Sequence, residues 1–221
     1  MTGTKKIYTK IALSLSVGLL MLWVFLGAGT TIAWFTDSSE IQKNSFYIGD
    51  LDLVFSHKVD DGTYKEIKED THVFDDEALY EPGYVQVVYL KVENQGDVPF
   101  EYKLAVDVDD VTVAESVLGN EIYLPNYLKY GVLFGDTEEQ LTREAATMVS
   151  NRNFPEETMN YPLNVYTKKD VIVMKPGDER YIALIVRMPE TVGNMANYRG
   201  TVIPKVEMGL NVKASQEGTL D

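Results

Sequence analysis

Two histidines and two acidic groups are the residues of this chain whose types could hold a metal ion or move a proton. The histidines are His57 and His72; the acids are Asp107, Asp109 and Asp110 in "DVDD" and Asp75, Asp76 and Glu77 in "FDDEA". A catalytic zinc ion takes three protein ligands and an open position. The sequence has no HExxH, and the span from His57 to His72 crosses an expected hairpin, so the pair does not share one helical face. Two histidines and a carboxylate could still converge in space, but exposed loop histidines are the simpler reading. The acids could hold calcium through oxygen ligands, yet neither group has the glycine and distal glutamate of the EF-hand loop. Solvated loop charge is their simpler reading. With no Cys there is no thiol nucleophile, and neither a G-x-S-x-G elbow nor a Gly-rich phosphate loop is present. The expectation is a protein without catalytic residues or a cofactor, with zinc or calcium at His57, His72, Asp107, Asp109 and Asp110 as the alternative.

The chain of 221 residues has a formal charge of −14, which repels nucleic acid. Its start is different in kind. Lys5, Lys6 and Lys10 precede the apolar run Ile11–Ala28, which is followed by small residues. Basic start, apolar middle and small-residue end is the order of a secretory signal peptide. In "TIA", Thr31 and Ala33 suit the −3 and −1 positions, so cleavage is expected after Ala33 with Trp34 the first mature residue. An 18-residue run also reaches the lower limit for an uncleaved membrane anchor. In both cases the lysines stay inside and the remainder is exported. Removing 33 of the 221 residues leaves 188, and losing those three lysines takes the charge from −14 to −17. That length supports one domain with a core, 34–221, folded without disulfides.

Period two dominates this exported part. In "FEYKLAVDV", Phe100, Tyr102, Leu104, Val106 and Val108 alternate with mostly polar neighbours; Ile182, Leu184, Val186 and Met188 share a face in "RYIALIVRM". "VIPKVEMGLNVKAS" places Val202, Val206, Met208, Leu210, Val212 and Ala214 together, and Leu51, Leu53 and Phe55 alternate near the start. Such runs are strands with one buried face. "YVQVVYLKV", Tyr84–Val92, is apolar on both faces and reads as a central strand. Asp61-Gly62 predicts a two-residue hairpin turn, and Asn94–Asp97 another. Pro82-Gly83 and Pro176-Gly177 each precede a strand, and Pro204 suggests an edge or bulge. One helix is expected, about Asp136–Ser150, with Asp136 or Thr137 as N-cap and Leu141, Ala145, Met148 and Val149 inward. The sum is an all-β sandwich with one helical excursion. Tyrosines in the strands (Tyr84, Tyr89, Tyr102, Tyr181) suit interfaces as well as cores.

"TIAWFTDSSEIQKNSFYIGDLDLVF" resembles the N-terminal signature of the TasA/camelysin family of Gram-positive surface proteins. The matching positions are Ala33, Phe35-Thr36-Asp37, Asn44-Ser45-Phe46, Gly49 and Leu51-Asp52-Leu53. "EPGYVQVVYLKVENQGDVPFEYKL" and the closing "MPETVGNMANYRGTV…VKASQ" resemble later parts of the same pattern. The likeness covers both ends of the domain and little of Val111–Leu163. It implies a jelly-roll-like sandwich, export through a SipW-type signal peptidase after a cleaved signal helix, and a place in biofilm matrix fibres. It also brings a second label, that of a camelysin-type surface metallopeptidase.

The function expected on these grounds is a fibre subunit secreted to the matrix or cell surface of a Gram-positive-type bacterium. Its partners would be copies of itself or related matrix subunits, and the signal peptidase; it would touch membrane only through the uncleaved N-terminal segment. Residues 34–48 would form a free segment in which Trp34, Phe35, Ile41 and Phe46 are the apolar side chains of a donor strand. The competing expectations are the metallopeptidase and a monomeric, membrane-anchored surface protein.

Overall fold

The computed structural model of the protein describes residues 45–47, 52–75, 77–167 and 172–216. Every described residue belongs to one compact unit, Gln42–Asp221. The expected cleavage residues Thr31, Ala33 and Trp34 lie outside the described residues, as do Phe35 and Ile41 of the expected donor segment.

Strand is the prevailing structure and most of its pairing is antiparallel. In chain order the strands are β1 (Ser45–Tyr47), β2 (Leu53–Lys58), β3 (Tyr64–Glu66), β4 (Val85–Asn94), β5 (Phe100–Thr112), β6 (Ala114–Ser116) and β7 (Glu121–Ile122). They continue with β8 (Lys129–Gly135), β9 (Tyr161–Pro162), β10 (Ile172–Met174), β11 (Glu179–Arg187), β12 (Tyr198–Arg199) and β13 (Lys205–Gln216). A helix, α1 (Glu138–Asn151), follows β8. One sheet has the order β1-β13-β5-β10, a second β3-β2-β4-β11-β8-β9, and a small third β12-β6-β7.

The alternating runs explain the layers. Tyr102, Leu104 and Val106 of β5 and Leu210 and Val212 of β13 meet Leu90 and Val92 of β4 and Ile182, Leu184 and Val186 of β11 in one buried cluster. The two larger sheets therefore share a core, as the sandwich reading requires. The second faces of β4 and β11 are apolar because α1 covers them. Leu141 and Ala145 of α1 are buried against Ala183, with Val87, Tyr89, Leu133 and Tyr181 around them. Met148 and Val149 of α1 are half-buried. Thr137 is the N-cap residue, and Glu138 and Glu139 supply acid to the first turn.

Four expectations need correction. The Asp61-Gly62 hairpin is present, but Lys58 pairs with Tyr64, so its loop is longer than two residues. Gly62 donates to the Val59 carbonyl at 2.9 Å with φ +83°, the left-handed residue of a turn-plus-bulge connection. The Asn94–Asp97 turn is no hairpin: β4 and β5 lie in different sheets, so this turn carries the chain across the core. Pro204 lies just outside β13, which starts at Lys205; the register shift comes at Glu207/Met208, and Val202 is exposed rather than inward. Asp107, Asp109 and Asp110 are not loop residues, since β5 runs through them to Thr112.

Candidate functional site

The strand that leads into the domain is also its one parallel pairing. β1 adds to the sheet beside β13 with Ser45 opposite Asn211, Phe46 opposite Val212 and Tyr47 opposite Lys213. Every other strand pair among the described residues is antiparallel. β1 supplies three residues against a β13 of twelve.

The sheet beneath that junction is held rigid. Asn211 donates through Nδ2 to Asp107 Oδ2 at 2.5 Å and accepts from the Tyr166 hydroxyl at 2.7 Å. On the far side of β5, backbone amides of Asn164 and Thr167 donate to Val106 and Leu104 at 2.8 and 2.9 Å. Asn164 Oδ1 also accepts from the Val108 amide at 2.8 Å. The β5 edge is thus occupied by its own chain, which blunts it as a docking edge.

β5 runs on into β6, and β12 leads to β13, so the small sheet continues the same ribbon. Exposed apolar side chains gather there: Val113, Val117, Leu118, Tyr123, Met195, Tyr198, Val202 and Ile203. Among the described residues, Leu79 and Val98 are the other exposed large apolar ones. Val113 and Val117 flank β6, whose Glu115 pairs with Arg199. The inward neighbours Ala114, Ser116 and Ile122 are buried, so each short strand is two-sided.

The residues expected to hold metal are spread out. His57 lies on β2 opposite Lys65 and Leu90; burial, then the Lys65 ammonium, hold its pKa below the ordinary value. His72 lies in the segment after β3. Asp107 is engaged by Asn211, and Asp110 accepts from the Val111 amide at 2.8 Å. Asp109 follows on the same strand. Among the described residues, no three of His, Cys, Asp or Glu come together as a metal would need. Of the acids in "FDDEA", Asp75 accepts from the Glu77 amide at 3.0 Å and Glu77 pairs with Lys205 at 2.7 Å, whereas Asp76 lies outside the described residues.

A separate cleft of about 500 Å³ opens on the outer face of the six-stranded sheet, below the C-terminal end of α1. Sequence reading gave no sign of it, because Lys129, Phe154 and Arg187 come from distant positions without a shared motif.

No protein-family model matches this chain, and comparison with curated proteins and with solved structures finds no similar one.

Proposed function

We propose that this protein is an exported structural subunit of extracellular matrix fibres, joined head to tail by an N-terminal strand. The observation that carries this reading is the parallel addition of β1 to β13. A strand at a sheet edge makes the same backbone hydrogen bonds whether it comes from its own chain or from a neighbour. The residues before β1 run on without Gly or Pro from Trp34 to Tyr47, as an extended donor requires. When this strand passes to the β13 edge of the next copy instead of its own, the contact is head to tail and repeats as a filament.

The gathered apolar side chains at the small sheet support the same reading, since patches of this kind mark association surfaces. The two-sheet packing supports the jelly-roll-like sandwich that the family resemblance implies. Cleavage after Ala33 would free the donor and so switch assembly on. The test is electron microscopy of the secreted protein together with its N-terminal sequence. Filaments built from chains that begin at Trp34 are expected. A secreted protein that stays monomeric across pH and concentration, or that keeps residues 1–33, would sink the proposal.

A further inference from the structure

The cleft below α1 has a floor of unusual charge for so acidic a protein. Lys129 and Arg187 are register partners on β8 and β11, so both side chains leave the sheet on the same face. Like charges placed opposite one another are unfavourable, and none of the described carboxylates lies within 4.0 Å of either. Arg187 is fixed in place. Its Nε and Nη2 donate to the Met159 carbonyl at 3.2 and 3.1 Å, Nη2 reaches Asn160 Oδ1 at 3.4 Å, and its guanidinium carbon sits 4.8 Å from the Phe154 ring centre. Nη1 takes part in none of these bonds.

The rim carries Glu156 and Glu190. Glu190 is already engaged by Arg152. Burial holds the Arg187 pKa below the ordinary value, with Glu156 acting in the opposite direction. The guanidinium is therefore partly dehydrated, and Glu156 acts on its charge without forming an ion pair with it.

We propose that this cleft is a binding site for a monoanionic carboxylate on a ring-sized body, a use separate from fibre assembly. The carboxylate lies between Arg187 and Lys129, where a fixed guanidinium offers directional donors and an ammonium adds a point charge. Phe154 and Tyr127 supply flat apolar surface for the ring. The volume is that of a small-ligand site. The two rim glutamates favour a single negative charge over a doubly charged phosphate, which they would repel more strongly.

Such a carboxylate could come from a sugar acid or from the end of a peptide, and titration of the exported protein separates the two. The probes are galacturonate and N-acetylphenylalanine, each beside its neutral counterpart, galactose and N-acetylphenylalanine amide. Isothermal titration gives affinity, and the Arg187 Nε–H resonance reports the place. We expect saturable binding of one or both acids, at least about tenfold weaker for the neutral forms and about tenfold weaker in Lys129→Gln. Arg143→Gln, an exposed change on α1, should leave affinity as it is. Arg187→Gln could loosen the loop it holds, so Lys129→Gln is the deciding variant. Binding of galacturonate alone marks a sugar-acid site, and of N-acetylphenylalanine alone a peptide-end site. No binding of either acid, equal binding of the neutral forms, or unchanged affinity in Lys129→Gln would overturn the proposal.

Discussion

The Gly177 amide donates to the Asn94 carbonyl at 2.9 Å, and the Asn94 amide returns a bond to the Asp178 carbonyl at 3.0 Å. The other end of the same strand pair repeats the exchange: Gly83 donates to Met188 at 2.9 Å and Met188 to Tyr84 at 3.0 Å. Each Pro-Gly turn therefore closes on the end of the opposite strand, and β4 and β11 are clamped at both ends.

Asn94 does more than close the turn. It is buried, and its side chain donates to the carbonyls of Val98 and Met174 at 2.9 and 3.1 Å and accepts from the Gly96 amide at 3.0 Å. Those bonds tie β4, the crossing turn and β10 together. Asn94→Ala leaves the partner groups unsatisfied and should cost about 2–3 kcal/mol, read as a lower urea midpoint with an unchanged slope. A loss under about 0.5 kcal/mol would show that water replaces the side chain.

Gly131 on β8 faces the loop after α1. A Cβ there would lie 2.2 Å from Met159 Sδ, 2.4 Å from Met159 Cα and 2.6 Å from the Thr158 carbonyl. Two of these three are backbone atoms and cannot swing aside. Gly131→Ala should push the loop off the sheet and destabilise by about 1–3 kcal/mol, seen by urea denaturation. It should also disorder Arg187, whose acceptors sit on that loop.

The same glycine shows what sequence pattern could and could not give. β5 and β13 were legible because core and solvent impose period two, and β11 from its inward set Ile182, Leu184 and Val186, although α1 buries its other face as well. α1 was legible from Leu141 and Ala145 and from its acidic first turn. β8, "KYGVLFG", was missed: Gly131 and Gly135 lower strand propensity because helix and loop press on them from outside. The Asn94 turn was misread as a hairpin because a tight turn looks alike whether the next strand pairs or crosses the core. The β1 pairing and the Lys129–Arg187 cleft depend on long-range register, which no local pattern records.

His57 provides a pH test. Its pKa is held below the ordinary value of 6.5, so the unfolded chain binds the proton more readily. The stability that His57 contributes is therefore complete above pH 6.5 and is lost as pH falls through the folded value. His57→Gln should flatten the fall in melting temperature between pH 6.5 and 5. An equal slope in the two proteins would show that burial of His57 does not couple to folding.

The last prediction separates the two features that support assembly. Deleting Trp34–Lys43 removes the donor but leaves every described residue of the domain in place. Val117→Glu with Leu118→Glu leaves the donor and puts charge on the exposed end of the small sheet, where both side chains are about half exposed. Surface changes of this kind alter stability by about 0.5 kcal/mol or less, so both proteins should keep the wild-type circular dichroism spectrum. The deletion should abolish filaments in electron micrographs, because only the three residues of β1 then remain to add at a sheet edge. The double substitution should slow their growth severalfold in light scattering, because charge at an apolar contact weakens docking without removing the strand. If the deletion protein polymerises at the wild-type rate, strand donation is wrong. If the double variant does so while the deletion protein fails, the strand alone joins the subunits and the apolar end of the ribbon serves another contact.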